Sequence, residues 1–420
     1  MWTVNNPIGQ SAGSGGDAGA PPPDARASRP EPSGTGRLYH LDNLRLLLIV
    51  LVVVHHASQP YGPADWWYVE GGDRSAFLSV FATVSGAFRM SLFFLVSAFL
   101  LPPAYDRKGG ARFLGERFRR FVPPILIGFF VLTPVLMYAY YLNFRDYGAI
   151  GFGAYYTDVY LGMGDEPAGW SGPIWPDRQF AHLWFLQHLL GYALLYAAWR
   201  WLTARRGRPS APGHRLRPAP GTLAIVLFVL AVSAATFLLR VAYPVDQWVP
   251  MLEFIQTEPA DLAQYAAFFV VGLAAYRRGW LSTFSARAGY AWLAAGVVLA
   301  GVHFLGGGWF DDVYAMGGWD PRSLLWSTVE TAICTALSIG LLVAFREWAD
   351  RPSRLVRALA PATFTVYVLH VPVVVALQYA MAGAAAGPLV KFGVVATAGV
   401  LLSFALAWGV RRTPVLRGLL

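Results

Sequence analysis

From Leu41 to Val410, apolar runs alternate with polar or Gly/Pro-rich breaks. Ten such runs lie near 41–58, 76–101, 122–142, 181–203, 221–243, 260–276, 288–306, 323–345, 359–381 and 388–410. Roughly 20 residues carry a helix across the hydrocarbon of a bilayer, and these runs match that length. Lipid offers no partner to backbone N–H and C=O groups, so a run of this kind must bond within itself, as a helix. The composition points the same way, with 56% apolar and only 14% charged residues. Soluble domains carry roughly a quarter charged residues. The chain therefore reads as an all-α, polytopic transmembrane helix bundle of ten spans. That excludes a disordered protein, a nucleic-acid-binding module and almost any cytosolic enzyme.

Charge sets the orientation. The formal net charge is +9. The connections 102–121, 204–220, 277–287 and 346–358 are rich in arginine, and the C-terminal tail adds Arg411, Arg412 and Arg417. The alternate connections are net acidic, with Asp73, Asp158, Asp177, Asp246, Glu258 and Asp320 among them. Basic loops stay in the cytoplasm, and an even number of spans puts both termini there. The surplus charge is thus a sidedness signal and gives no reason to invoke nucleic acid. Residues 1–36 are rich in Gly, Pro, Ala and Ser without apolar periodicity, and are expected to be a disordered cytoplasmic tail. They lack the apolar core of a signal peptide. The membrane domain is taken as 37–420. The longest outer connection, about 143–180, is rich in Gly, Tyr and Trp. Its aromatics read first as interfacial anchors, and second as a lid over a site.

Ionisable groups are costly inside a bilayer, so each one within a span is a functional candidate. The first span carries Asp42, Arg45, His55 and His56. Arg45 and His56 are eleven residues apart, which places them on one helix face about 16 Å apart in height. A cation thus lies near the cytoplasm and a general base or nucleophile deeper in the membrane. Snorkelling explains Arg45 equally well, and a packed imidazole is the bland alternative for His56. Arg89 falls near the middle of the second span and needs a carboxylate, carbonyl or water partner. Glu330 in the eighth span is the expected carboxylate. The fourth span opens Phe180-Ala181-His182-Leu183-Trp184, with His182 expected near the outer interface and Trp184 at the lip. Tyr367 and His370 share one face of the ninth.

No metal-binding or nucleotide-cofactor motif is present: H-E-x-x-H, C-x-x-C and the P-loop are all missing. A single cysteine, Cys334, forms no internal disulfide. Gly-x-Ser-x-Gly is absent too, which argues against a serine-hydrolase elbow.

Together these stretches resemble the acyltransferase family 3 of integral membrane O-acyltransferases. The resemblance begins at Tyr39-His40-Leu41-Asp42-Asn43-Leu44-Arg45 and reaches His56, matching the family's Arg/Lys-x10-His pattern. It continues through Phe88-Arg89-Met90-Ser91-Leu92-Phe93-Phe94-Leu95-Val96-Ser97, where Ser97-Ala98 stands for the family's usual Ser-Gly pair. Arg117-Phe118-Arg119-Arg120-Phe121, His182-Leu183-Trp184-Phe185-Leu186 and Tyr367-Val368-Leu369-His370 also look like family signatures. The wording around Arg89 is most similar to the branch containing glucan biosynthesis protein C, a succinyl-transferring type.

The resemblance implies a protein of the bacterial cytoplasmic membrane with no bound cofactor. It implies an acyl-CoA co-substrate reached from inside, and transfer of an acetyl- or succinyl-type group to a hydroxyl of a glycan or other small acceptor. In that reading Arg45, Arg117 and Arg120 hold the coenzyme A phosphates. His56 serves as general base or as nucleophile. Arg89 faces the oxyanion. His182, Trp184, Glu330, Tyr367 and His370 line the substrate site. The rival reading is a secondary transporter or glycan exporter without acyl chemistry. Membrane lipid is a partner under either.

Overall fold

A computed structural model describes residues 38–64, 66–172, 174–205, 216–251, 255–306, 313–351 and 353–414. The expected tail 1–36 lies outside the described residues. Eleven long helices carry the described chain: α1 (Tyr39–Ser58), α2 (Ala76–Phe99), α3 (Gly110–Ile127), α4 (Thr133–Phe144), α5 (Trp184–Arg205), α6 (Thr222–Ala242), α7 (Pro259–Arg278), α8 (Ala286–Gly306), α9 (Pro321–Trp348), α10 (Thr363–Ala382) and α11 (Pro388–Arg412). A two-strand hairpin, β1 (Val249–Met251) with β2 (Ile255–Thr257), precedes α7. α3 and α4 follow each other through a wider π turn, Gly128–Leu132, so the third expected span starts earlier than its apolar run and includes Arg117 and Arg120.

Among the described residues, eight helical segments are long and apolar enough to cross a membrane. The fourth and sixth expected spans form α5 and α7, of 22 and 20 residues, which do not reach that apolarity. The reason is visible in what they carry inward. Gln187 and His188 on α5, and Gln264 on α7, are buried polar side chains. Helices that build a polar interior score poorly as lipid-facing segments while packing among other helices.

α1 sits at the centre and touches α2, α9, α10 and α11. Leu44, Leu48, Val52 and Val53 on it are buried. Near its start the side chains of Asp42 and Arg45 stay partly exposed. Its N-terminus is tied down by Asp350, which accepts from the His40 backbone N–H at 3.2 Å and lies 2.9 Å from His40 Nδ1. α2 packs closely along α7. A side chain at Gly272 would meet the Leu95 carbonyl oxygen at 2.2 Å and the Ala98 Cβ at 2.8 Å. The close approach expected of a Ser-Gly pair on α2 is therefore made with Ala98, and the glycine comes from the facing helix.

Candidate active site

The end of α1 and the start of α2 enclose a cavity of about 1040 Å³, lined by His55, His56, Arg89, His182, Trp184 and Glu330 among others. It reaches the connections 59–68, 171–182 and 245–258, which belong to the acidic set.

His56 is the centre of a directed hydrogen-bond chain. Its Nδ1 lies 2.8 Å from His370 Nε2. His370 Nδ1 lies 2.7 Å from the Tyr367 carbonyl oxygen. A carbonyl only accepts, so His370 Nδ1 carries the proton and donates. In the neutral ring His370 Nε2 is then the acceptor, and His56 Nδ1 donates to it. That leaves the lone pair of neutral His56 on Nε2, which bonds to no described residue, in a ring that lines the cavity. The His56 ring also stacks on Trp67 at 5.4 Å. Gln378 braces both, accepting from Trp67 Nε1 at 2.7 Å and donating to the His56 carbonyl at 3.0 Å.

His182 adjoins this chain, with its ring 5.0 Å from that of His370. Its Nε2 donates to the Val368 carbonyl at 3.0 Å, and its Nδ1 is buried without a partner. The Tyr367 hydroxyl donates to the His182 carbonyl. The ninth-span pair and the fourth-span histidine thus meet beside His56. His182 is buried instead of interfacial, because its ring is held against α10. Trp184, expected at the lip, is stacked on Tyr265 at 5.5 Å inside the bundle.

Arg89 stands on the other side of α1. Its Nη1 donates to His55 Nδ1 at 2.8 Å, and its Nε is buried without a partner. Glu330 is not its counterion. Glu330 instead accepts from Arg240 Nη2 at 2.6 Å, and Asp261 accepts from the same nitrogen at 3.0 Å. Arg240, from α6, is 1% exposed and packs against α9 and α7, so it meets both carboxylates first. Among the described residues, Arg89 has no carboxylate within ion-pair distance. Because Arg89 can only donate, His55 Nδ1 accepts, and the Ser85 hydroxyl also lies 2.8 Å from it. The Gln59 amide nitrogen lies 2.8 Å from His55 Nε2 and donates to the His55 carbonyl at 3.3 Å.

The outer connection 143–180 forms a packed cap, in place of the expected row of interfacial anchors. Tyr155 and Tyr160 are fully buried. Arg145 donates to Asp177 at 3.0 Å and lies over the Tyr140 and Trp170 rings at 4.8 Å. Burial raises the Asp177 carboxyl, and Arg145 and Tyr155 only partly offset it. Tyr155 and Tyr160 are thus taken up by the packed interior, while Tyr156, Trp170 and Trp175 are half-buried. Arg145, Arg178 and Phe180 line the cavity from this cap. Opposite them, burial raises the carboxyls of Asp246 and Glu258, and the charge of Asp261 adds to both shifts.

Arg45, Arg117 and Arg120 gather near the opposite end of the bundle and do not line this cavity. Arg45 is 3.9 Å from Asp42. Arg120 stands close enough to Arg45 and Arg117 to feel their charge. Arg117 lies over Phe113 at 5.1 Å and Arg120 over Phe364 at 4.9 Å.

Sequence reasoning left His55 without a partner and did not single out Arg240, Asp261, Trp67 or Gln378. The signal for Arg240 and Asp261 was their place at span ends, where a charge reads as interfacial. Trp67 and Gln378 carry no such signal.

Comparison with known proteins agrees with this geometry. Residues 38–408 match the family model described as Acyltransferase domain. "Glucans biosynthesis protein C" of Salmonella heidelberg (strain SL476) is 26% identical over 247 residues, covering 57% of this chain and 58% of that protein. The protein of the same name from Escherichia coli (strain K12 / DH10B) is 24% identical over 243 residues, with the same coverage. The match thus spans a little over half the length of these relatives. No solved structure matches. Membership of an acyltransferase family also decides against the transporter reading. With the family's model running through every helix that builds the cavity, the chain belongs to the acyltransferase-3 family of membrane acyltransferases.

Proposed function

We propose that the chain moves an acetyl- or succinyl-type group from acyl-CoA to a hydroxyl of a glycan or other small acceptor, in the bacterial cytoplasmic membrane. The reading rests on one observation: His56 Nε2 presents a lone pair to the cavity while its other nitrogen is committed through His370 to a backbone carbonyl. Such a chain fixes one tautomer and supports the imidazolium that forms when Nε2 takes a proton.

The acceptor hydroxyl gives its proton to His56 Nε2 as its oxygen attacks the thioester carbonyl. The tetrahedral intermediate carries an oxyanion, which Arg89 stabilises from the adjoining helix α2. Collapse breaks the C–S bond, and His56 returns the proton to the leaving coenzyme A thiol. The ester forms and the ring is neutral again. Arg45, Arg117 and Arg120 hold the donor's phosphates at the basic end, where their charges repel one another until an anion arrives. Trp184, Glu330 and the cap side chains receive the acceptor. The name of the relatives supports an acceptor of the glucan class.

The test is transfer from radiolabelled acyl-CoA in membranes. His56→Ala should lose about 10²–10⁴-fold in rate, the range of a general base. Wild-type turnover by normally expressed His56→Ala protein overturns the role. A hydroxylamine-sensitive label on wild-type protein without acceptor replaces the base by an acyl-histidine.

A further inference from the structure

A second cavity of about 650 Å³ lies at the arginine-rich end of the bundle, away from His56. Its walls are apolar, built from Leu95 and Phe99 of α2, Phe228 of α6, Phe268 and Val271 of α7, and Leu342 of α9. Arg217, Arg278 and Trp280 complete its lining. The two arginines are held together: the Arg217 backbone N–H donates to the Arg278 carbonyl at 2.8 Å. Thr283 Oγ1 donates to the Arg217 carbonyl at 2.9 Å. Arg278 lies over the Trp280 ring at 5.1 Å.

Neighbouring charges behave differently. Arg277 is bonded to Asp106 at 3.0 Å. Arg217 and Arg278 are exposed, and among the described residues neither has a carboxylate within ion-pair distance. The rim of the cleft is thus cationic while its depth is apolar. Arg346, one turn beyond Leu342, donates to the carbonyls of Leu281 and Phe284, which puts this rim at the end of α9. Deeper on α9, Thr335 Oγ1 and Ser338 Oγ are buried and have no oxygen or nitrogen partner. Both residues line the cleft. Thr328, on the same helix, does bond the carbonyl one turn back, at 2.8 Å. Ser338 is about 12 Å below Arg346 by helix rise.

We propose that this cleft is a binding site for an anionic phospholipid, with the phosphate on Arg217 and Arg278 and an acyl chain along Phe228, Phe268 and Val271. Basic pockets between membrane helices on the cytoplasmic side suit such headgroups, and Trp280 is the residue type that marks the interface. A free phosphate would use the rim alone and leave the cleft empty.

Purified full-length protein in detergent is titrated with phosphatidylglycerol, phosphatidylcholine and inorganic phosphate, and read by native mass spectrometry and thermal melting. Phosphatidylglycerol should bind and raise the melting temperature, and the other two should not. Arg217→Ala/Arg278→Ala should weaken phosphatidylglycerol about tenfold or more, from the loss of two cation contacts. Both residues are exposed, so lipid-free melting should stay near wild type. Val271→Trp, which fills the cleft and keeps both arginines, should also lose binding. Equal binding of phosphatidylcholine, unchanged affinity in either variant, or competition by inorganic phosphate at equal concentration overturns the proposal.

Discussion

Two buried arginines, Arg89 in the cavity wall and Arg240 behind the lining residues Asp261 and Glu330, are satisfied in opposite ways. Arg240 has two carboxylates, Asp261 at 3.0 Å and Glu330 at 2.6 Å. Arg89 has an imidazole, His55, and among the described residues no carboxylate. The first arrangement consumes its charge within the fold. The second leaves a full positive charge in a cavity, with only neutral partners to hold its direction. A guanidinium cannot shed its proton, so that charge is available to an oxyanion. Being buried does not make an arginine catalytic. Being buried and uncompensated, beside a basic imidazole, is the informative combination.

The sharpest way to break this comparison is to remove each charge and ask what fails. Arg89→Leu should cut acyl transfer by about 10²–10³-fold, the cost of losing an oxyanion donor. Its melting temperature should stay close to wild type, since no carboxylate is stranded. Arg240→Leu should instead destabilise the protein by about 3–5 kcal/mol, because Asp261 and Glu330 are left as unpaired buried charges. Replacing Arg240, Asp261 and Glu330 together by apolar residues should recover most of that stability. Transfer assays and thermal melts on the same preparations check both arms. If Arg89→Leu melts early and Arg240→Leu only slows turnover, the assignment is reversed.

A smaller effect separates His370 from His56. His370→Phe keeps the ring's volume but leaves His56 Nδ1 with no acceptor. The rate should fall by about tenfold to a hundredfold, short of the loss at His56 itself. The pH–rate profile should move as well, since the imidazolium loses its support. A profile and rate identical to wild type would make the His56–His370 contact mere packing.

How much of this could be read beforehand varied from residue to residue. The helix bundle was legible because lipid imposes one length and one solution on every span. That Arg45 and His56 lie on one continuous helix was legible from its apolar run. Tyr367 and His370 were placed on one face, but that they meet His56 and His182 depends on which helices touch, which no local pattern encodes. The Arg89–Glu330 pairing failed for the same reason. Arg240 competes for Glu330 from a third helix, and a sequence lists possible counterions without their distances. The cap was misread because aromatics at a membrane edge and aromatics around a buried Arg145–Asp177 pair look alike in composition.

The weakest expected effect concerns the carboxyls at the cavity mouth. Glu258 is raised well above 4.5 by burial, then by the charge of Asp261, and the neighbouring Asp246 is raised by the same two causes. A carboxyl whose folded pKa is raised keeps its proton where the unfolded chain has already lost it. Its contribution is therefore full below the ordinary carboxylate range and is lost as pH rises through the folded value. Wild-type protein in detergent should melt higher at pH 5 than at pH 7.5, by about 2 °C on the scale of a single group. Glu258→Gln, which is neutral throughout, should flatten that slope and leave Arg240 paired. A slope of equal size in Glu258→Gln would move the titration elsewhere, and a wild-type slope of opposite sign would mean that the ionised mouth is the stable one.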